Sequence, residues 1–276
     1  MEKSIKKLGI IAGGGLLPHY IADYCVHRNL PYFVLALEGF ADAGFAARHP
    51  HVWQGLAKVG HAIEQLQKQE VTHLTLAGWV DRPSLSALKP DFAGMKLMGR
   101  IATLKQHGDD AILTELMRYL EEQGFAIVSP DSLITHLTVP AGILTHAKPG
   151  AMMEEDIKLG IRLLHSLGEF DVGQSAVVQQ RKIIGIEAAE GTDRLIERVA
   201  PLLLKGEKAT LVKIKKPKQD KRADMPAIGP DTLHHAHEAG LGAIAIEANA
   251  TLVLDRQAAI EIADRLGLAL VAVNPA

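Results

Sequence analysis

With 276 residues, 47% of them hydrophobic and 22% charged, the chain has room for one large or two ordinary domains and a substantial core. A formal net charge of -2 argues against a dedicated nucleic-acid binder, which carries a basic excess. A single cysteine, Cys25, excludes an intramolecular disulfide, so the fold needs no oxidising compartment.

The first residues carry lysines but no long apolar run, so a signal peptide is not expected. No stretch reaches the length of an apolar transmembrane helix. Both point to a cytoplasmic protein, with contact at a membrane surface left open.

Residues 8–12, L-G-I-I-A, predict a strand, and Gly13-Gly14-Gly15 a turn. Leu16 to His27 then has helical period, with Pro18 well placed in the first turn. Strand, glycine turn and helix open a nucleotide-binding α/β domain, because glycines admit a ligand to the backbone and a helix start attracts an anion. The third glycine of the dinucleotide fingerprint is missing, and a tight structural turn explains the same residues. Cys25 falls in the helical pattern, where it reads as a small buried hydrophobe rather than a nucleophile.

Further strands are expected at 31–37, 52–54, 72–77 and 125–128, with helices at 62–68, 94–104 and 109–123. Glu38 follows the second strand, where an acid can meet a ribose or simply mark a strand exit. Gly78 and Arg82 follow the 72–77 strand, a good position for a nucleotide phosphate in an open α/β sheet. Gly108-Asp109-Asp110 predicts an acidic cap for the 109–123 helix. Residues 129–150 hold three prolines and no helical period, which places the domain boundary there: 1–132 and 133–276.

The second half predicts a helix at 154–167, a hairpin from 176–180 and 182–188, and a helix from Thr192 or Asp193 to about Leu204. Glu187, Glu190 and Asp193 make an acidic cluster past a strand, which is also how a capped helix begins. Strands at 209–214, 241–246, 251–254 and 268–273 alternate with helices capped by Asp231 and Asp255. His234, His235 and His237 lack metal-helix spacing and read as a solvated helix face. No G-x-S-x-G, H-E-x-x-H or P-loop motif occurs.

Between 213 and 230 five lysines and Arg222 surround Asp220 and Asp224, framed by Pro217, Pro226 and Pro230. A solvated charged loop is the bland account. The chemical one pairs lysines that hold phosphate with carboxylates that hold Mg²⁺ or orient water, which suits hydrolysis of a phosphoric anhydride.

Seven segments carry a family resemblance: I-I-A-G-G-G-L-L-P (10–18), A-G-W-V-D-R-P-S-L (77–85), G-D-D-A-I-L (108–113), D-V-G-Q-S-A-V-V (171–178), E-A-A-E-G-T-D (187–193), K-P-K-Q-D-K-R-A-D-M-P-A-I-G-P (216–230) and A-G-L-G-A-I-A-I-E-A (239–248). Together they resemble the LpxI family of UDP-2,3-diacylglucosamine pyrophosphatases of lipid A biosynthesis, over nearly the whole chain. The resemblance implies a Rossmann-like N-terminal domain and a second α/β domain, with the ligand held between them. It implies hydrolysis of UDP-2,3-diacylglucosamine to UMP and 2,3-diacylglucosamine 1-phosphate (lipid X), dependent on a divalent metal, usually Mg²⁺. It also implies a homodimer in Gram-negative cytoplasm, peripheral at the inner membrane face.

The family's essential aspartate maps to Asp224, assisted by Asp220, with Glu190 and Asp193 as further metal ligands. Lys216, Gln219 and Arg222 are expected at the diphosphate. Gly13, Gly14, Gly15, Leu16, Gly78 and Arg82 are expected at the uridine nucleotide, with Gln174 and Thr192 also at substrate. K-P-K-Q-D stands where the family has K-P-G-Q-D, and Leu195-Ile196 where it has Met-Leu. Two rivals remain in view: a dinucleotide-dependent oxidoreductase using Gly13–Gly15 and Glu38, and a non-catalytic nucleotide or lipid sensor.

Overall fold

The structure, a computed structural model, describes residues 5–81, 88–104, 108–217, 220, 222 and 225–275. It comprises two compact units. The first is Met1–Thr135 with Asp220–Asp224, and the second is His136–Gln219 with Met225–Ala276.

In the first unit, apolar runs form strands β1 (Leu8–Ala12), β2 (Tyr32–Leu37), β3 (His51–Gln54), β4 (His73–Ala77) and β5 (Ala126–Ile127). They pair in parallel in the order β3-β2-β1-β4-β5, a Rossmann-like arrangement. Such strands are covered on both faces, which is why β1 and β2 are nearly unbroken hydrophobic runs.

Helix α1 (Leu17–His27) buries Pro18, Ile21, Ala22 and Cys25, one helical stripe. Cys25 is fully buried, and burial pushes its thiol up to about 12. Helices α2 (Ala43–Ala46), α3 (Val59–Lys68), α4 (Phe92–Ala102), α5 (Asp109–Glu122) and α6 (Pro130–Leu133) complete the unit. Phe33, Leu35, Leu66, Leu74, Met117 and Leu120 anchor its core.

The second unit holds a six-stranded sheet in the order β6-β13-β11-β9-β7-β8. Its members are β6 (Gly142–Ile143), β7 (Ser175–Gln179), β8 (Lys182–Ile186), β9 (Thr210–Lys213), β11 (Ala243–Glu247) and β13 (Ala269–Val273). β9, β11 and β13 run parallel, whereas β6, β7 and β8 each run antiparallel to the neighbour they join. β10 (Ala227–Ile228) and β12 (Leu252–Val253) make a separate parallel pair.

One face is covered by α7 (Ala151–Gly168), where Gly160 packs on Val212 so closely that a Cβ would lie 2.6 Å from its Cγ2. Helices α8 (Thr192–Val199), α9 (Pro230–Glu238) and α10 (Arg256–Leu266) enclose the other core, built on Leu195, Leu211, Leu233, Ile244 and Leu270.

Several local expectations differ from the observed elements. The 129–150 connector contains α6, a short 3₁₀ turn at Thr135–Leu137 and β6. α7 begins three residues early, because Ala151-Met152-Met153 are strong helix formers behind Gly150. Three of the acidic residues expected as caps sit one or two places inside, whereas Asp255 is the N-cap of α10. Glycine is the N-cap of α5, α8 and α9; Asp109 follows it in α5, and Asp193 and Asp231 lie in the first turns of α8 and α9, where the helix dipole favours them.

Candidate active site

The glycine turn of the first unit lies beside the exit of β4. Gly14 and Trp79 form an antiparallel bridge, with Gly14 N donating to Trp79 O at 2.8 Å and Trp79 N to Gly14 O at 3.1 Å. Gly13 N donates to Ala77 O at 2.8 Å. Two of the three glycine amides that a dinucleotide pyrophosphate needs are therefore already bonded. The glycines are there for closeness: a Cβ on Gly14 would sit 2.5 Å from the Trp79 indole, and one on Gly78, with φ +89, 2.2 Å from Gly14 O. Gly13, Gly14, Gly15, Leu16 and Gly78 are thus brought together, and among the described residues no backbone carbonyl accepts from Gly15 N or Leu16 N. Arg82 lies outside the described residues.

In the second unit, three separated motifs meet at the carboxyl end of β9. Ser175 opens β7 directly across from Lys213, the last residue of β9. Glu187, just past β8, donates its amide to Ser175 O at 2.9 Å. Thr192 opens α8 above them. Its hydroxyl donates to Glu187 Oε2 at 3.1 Å, accepts from Lys213 Nζ at 2.9 Å and lies 3.1 Å from Ser175 Oγ. All four side chains are buried, with Lys213 only 6% exposed.

The turn leading into β7 is pressed against the same cluster. Gly173, at φ +55, would place a Cβ 2.0 Å from Glu187 O. Gln174 Oε1 is buried with no hydrogen-bond partner among the described residues. Asp171 forms an ion pair with Lys216. Gln174, Thr192 and Lys216 were expected from the sequence. Ser175 was not. Lys213 was expected only as one of the five lysines of the 213–230 stretch, and the cross-strand register reveals its partners.

The acidic residues expected to hold a metal are otherwise engaged. Glu190 accepts from Arg198 Nη2 at 2.6 Å and from Ala188 N at 3.0 Å. Burial opposes its ionisation, yet the Arg198 guanidinium and the Glu190 and Ala188 amides together hold its carboxyl below the usual glutamate range. Asp193 faces His235 at 3.6 Å. Asp220 receives Arg222 Nη2 at 2.7 Å and its backbone N at 2.9 Å, and Arg222 Nη1 reaches Glu121 Oε1 at 2.7 Å. The bond to Asp220 raises the Arg222 guanidinium further above its ordinary value. Gln219 and Asp224 lie outside the described residues.

Comparison with known proteins decides the family. The LpxI N-terminal domain model matches residues 7–137 and the LpxI C-terminal domain model residues 140–271. UDP-2,3-diacylglucosamine pyrophosphatase LpxI of Caulobacter vibrioides is 36% identical over 98% of this chain and 99% of its own length. The chain belongs to the LpxI family.

Among solved structures, N5-carboxyaminoimidazole synthase from Aspergillus clavatus covers 72% of this chain and 44% of its own, at 14% identity and a TM-score of 0.24, a likeness too slight to carry an inference.

Membership in the LpxI family raises the question of a metal. Among the described residues no group of three or more His, Cys, Asp or Glu side chains is arranged to hold an ion. Glu190, Asp193 and Asp220 do not supply a ligand set by themselves, so no chemical step is derived through a metal.

Proposed function

We propose that the chain hydrolyses the pyrophosphate bond of UDP-2,3-diacylglucosamine, within lipid A biosynthesis. Water adds to one phosphorus, the bond to the bridging oxygen breaks, and that oxygen leaves on the other phosphate. The products are UMP and 2,3-diacylglucosamine 1-phosphate. The observation that carries this reading is the end-to-end likeness to a relative named for that activity.

The residue assignments belong to the same proposal. The first unit takes the uridine nucleotide through the Gly15 and Leu16 amides, with Gly13, Gly14 and Gly78 shaping the turn and Arg82 beside it. Gln174, Thr192, Lys216, Gln219 and Arg222 contact the remainder of the substrate. Cations and amides aimed at the diphosphate stabilise charge that builds on the departing oxygen. Asp224 orients the attacking water, assisted by Asp220.

Divalent-metal dependence, with Mg²⁺ as the ion, enters through family membership, and Asp224, Asp220, Glu190 and Asp193 are its proposed carboxylates. A lipid product with two acyl chains calls for peripheral work at the inner membrane face. No helix among the described residues is long and apolar enough to cross a membrane. A homodimer completes the reading.

The test is direct. Purified protein with Mg²⁺ and UDP-2,3-diacylglucosamine should release UMP and the sugar 1-phosphate in equal amounts. Asp224→Ala should abolish turnover while product binding persists. Absence of UMP from the wild-type reaction would sink the proposal, and full activity in the variant would move the chemistry away from Asp224.

A further inference from the structure

The buried ammonium of Lys213 is incompletely satisfied by the described residues. An ammonium carries three donors, and among the described residues this one uses a single donor, on a neutral hydroxyl. Burying a charge is costly unless it is paired and fully hydrogen-bonded. Leucine or methionine would fill the same end of β9 without that cost. The carboxylate of Glu187 is reached only through Thr192, which aims the lysine but, among the described residues, leaves two ammonium hydrogens over.

The Thr192 hydroxyl is saturated by Glu187, Lys213 and Ser175, so its position is fixed. Its backbone amide, at the first position of α8, points out of a helix start that no side chain caps. Lys213 is bonded to the residue that opens α8, so a buried cation and an uncapped helix start meet at Thr192, a combination suited to a tetrahedral anion.

We propose that Lys213 binds the sugar-side phosphate of the substrate together with the Thr192 amide, and that Glu187 and Ser175 position it through the Thr192 hydroxyl. This rests on the hydrolase reading above. It also adds Lys213 to the phosphate contacts proposed for Lys216, which is itself paired with Asp171.

Product inhibition separates the two phosphates. In Lys213→Met, the inhibition constant for 2,3-diacylglucosamine 1-phosphate should rise by about 30-fold or more, and that for UMP by less than about threefold. kcat/KM should fall by roughly 100-fold, and Lys213→Arg should recover most of the sugar-phosphate affinity. If Lys213→Met does not fold, Thr192→Val, which removes the hydroxyl that anchors the ammonium and links it to Glu187 and Ser175, should weaken the sugar phosphate several-fold and leave UMP unchanged.

Unchanged affinities, or equal losses for both products, would overturn the proposal. Equal losses would mark Lys213 as a structural residue. Should the wild type release no UMP, the hydrolase reading fails separately. Calorimetric titration with the sugar phosphate then still tests the lysine, and equal binding by wild type and Lys213→Met overturns it.

Discussion

Glu190 illustrates how far a single carboxylate can be understood from its surroundings. Its folded-state pKa lies below the ordinary glutamate value, so the unfolded chain takes up the proton first as pH falls. Its stabilising contribution is therefore present above the ordinary glutamate range and disappears as pH drops through the depressed value. Arg198 is about half exposed, at 49%, so the contribution is small, about 0.5 kcal/mol. Urea unfolding should show wild type ahead of Glu190→Gln by that margin at pH 7, with the gap closing as pH falls below the ordinary glutamate range. A gap independent of pH would mean that the residue acts by shape rather than charge. At this scale the sequence was a partial guide. The density of acids at 187–193 pointed to something specific, but Glu187 and Glu190 have opposite surroundings: one faces a buried lysine relay, the other a surface arginine. Nothing in the spacing distinguishes them, because the difference depends on Ser175 and Lys213, brought in by sheet register.

The β7–β8 hairpin makes the same point for an element. Its existence was legible from two apolar runs with a break between them. Its turn was not, because the two central residues are Gln180 and Arg181, at φ 51 and 60, where Asn-Gly is the usual choice. The missing turn chemistry is supplied from α7. Asp156, fully buried, accepts from Gln180 N at 3.0 Å and Arg181 N at 2.5 Å. A buried carboxylate that satisfies two turn amides is a strong contact. Asp156→Ala should cost about 2–4 kcal/mol in urea unfolding, and Asp156→Asn, which keeps one acceptor, visibly less. Equal effects would show that only packing matters there. Helix starts were harder to place for a related reason: a cap is a property of one residue's backbone angles, and glycine took that position ahead of neighbouring acids in α5, α8 and α9.

On the scale of the molecule, hydrophobic period and strand spacing sufficed to anticipate two α/β halves, since buried parallel strands write themselves as continuous apolar runs. What they could not give was the full mixed direction of the second sheet: the β7–β8 hairpin was legible, but β6 and β7 also run antiparallel to β13 and β9, neighbours distant in sequence. Each half has its own buried cluster, so damage should be local. Leu74 is fully buried in β4 between Thr75 and His73. Leu74→Ala should cost about 2–5 kcal/mol. Hydrogen exchange should register the loss first in β1, β2 and β4. Matching loss of protection in β9, β11 and β13 would show that the two sheets unfold as one cooperative body.

The bridge between Gly14 and Trp79 has a practical side. The chain contains two tryptophans, Trp53 on β3 and Trp79 resting on the glycine turn. Its indole is 57% exposed and edge-on to Phe40 at 6.2 Å. Replacing Trp53 with phenylalanine leaves a single tryptophan, seated on the glycine turn proposed to take the nucleotide. Under that proposal, adding UMP should change its emission, with no dye attached and no turnover needed.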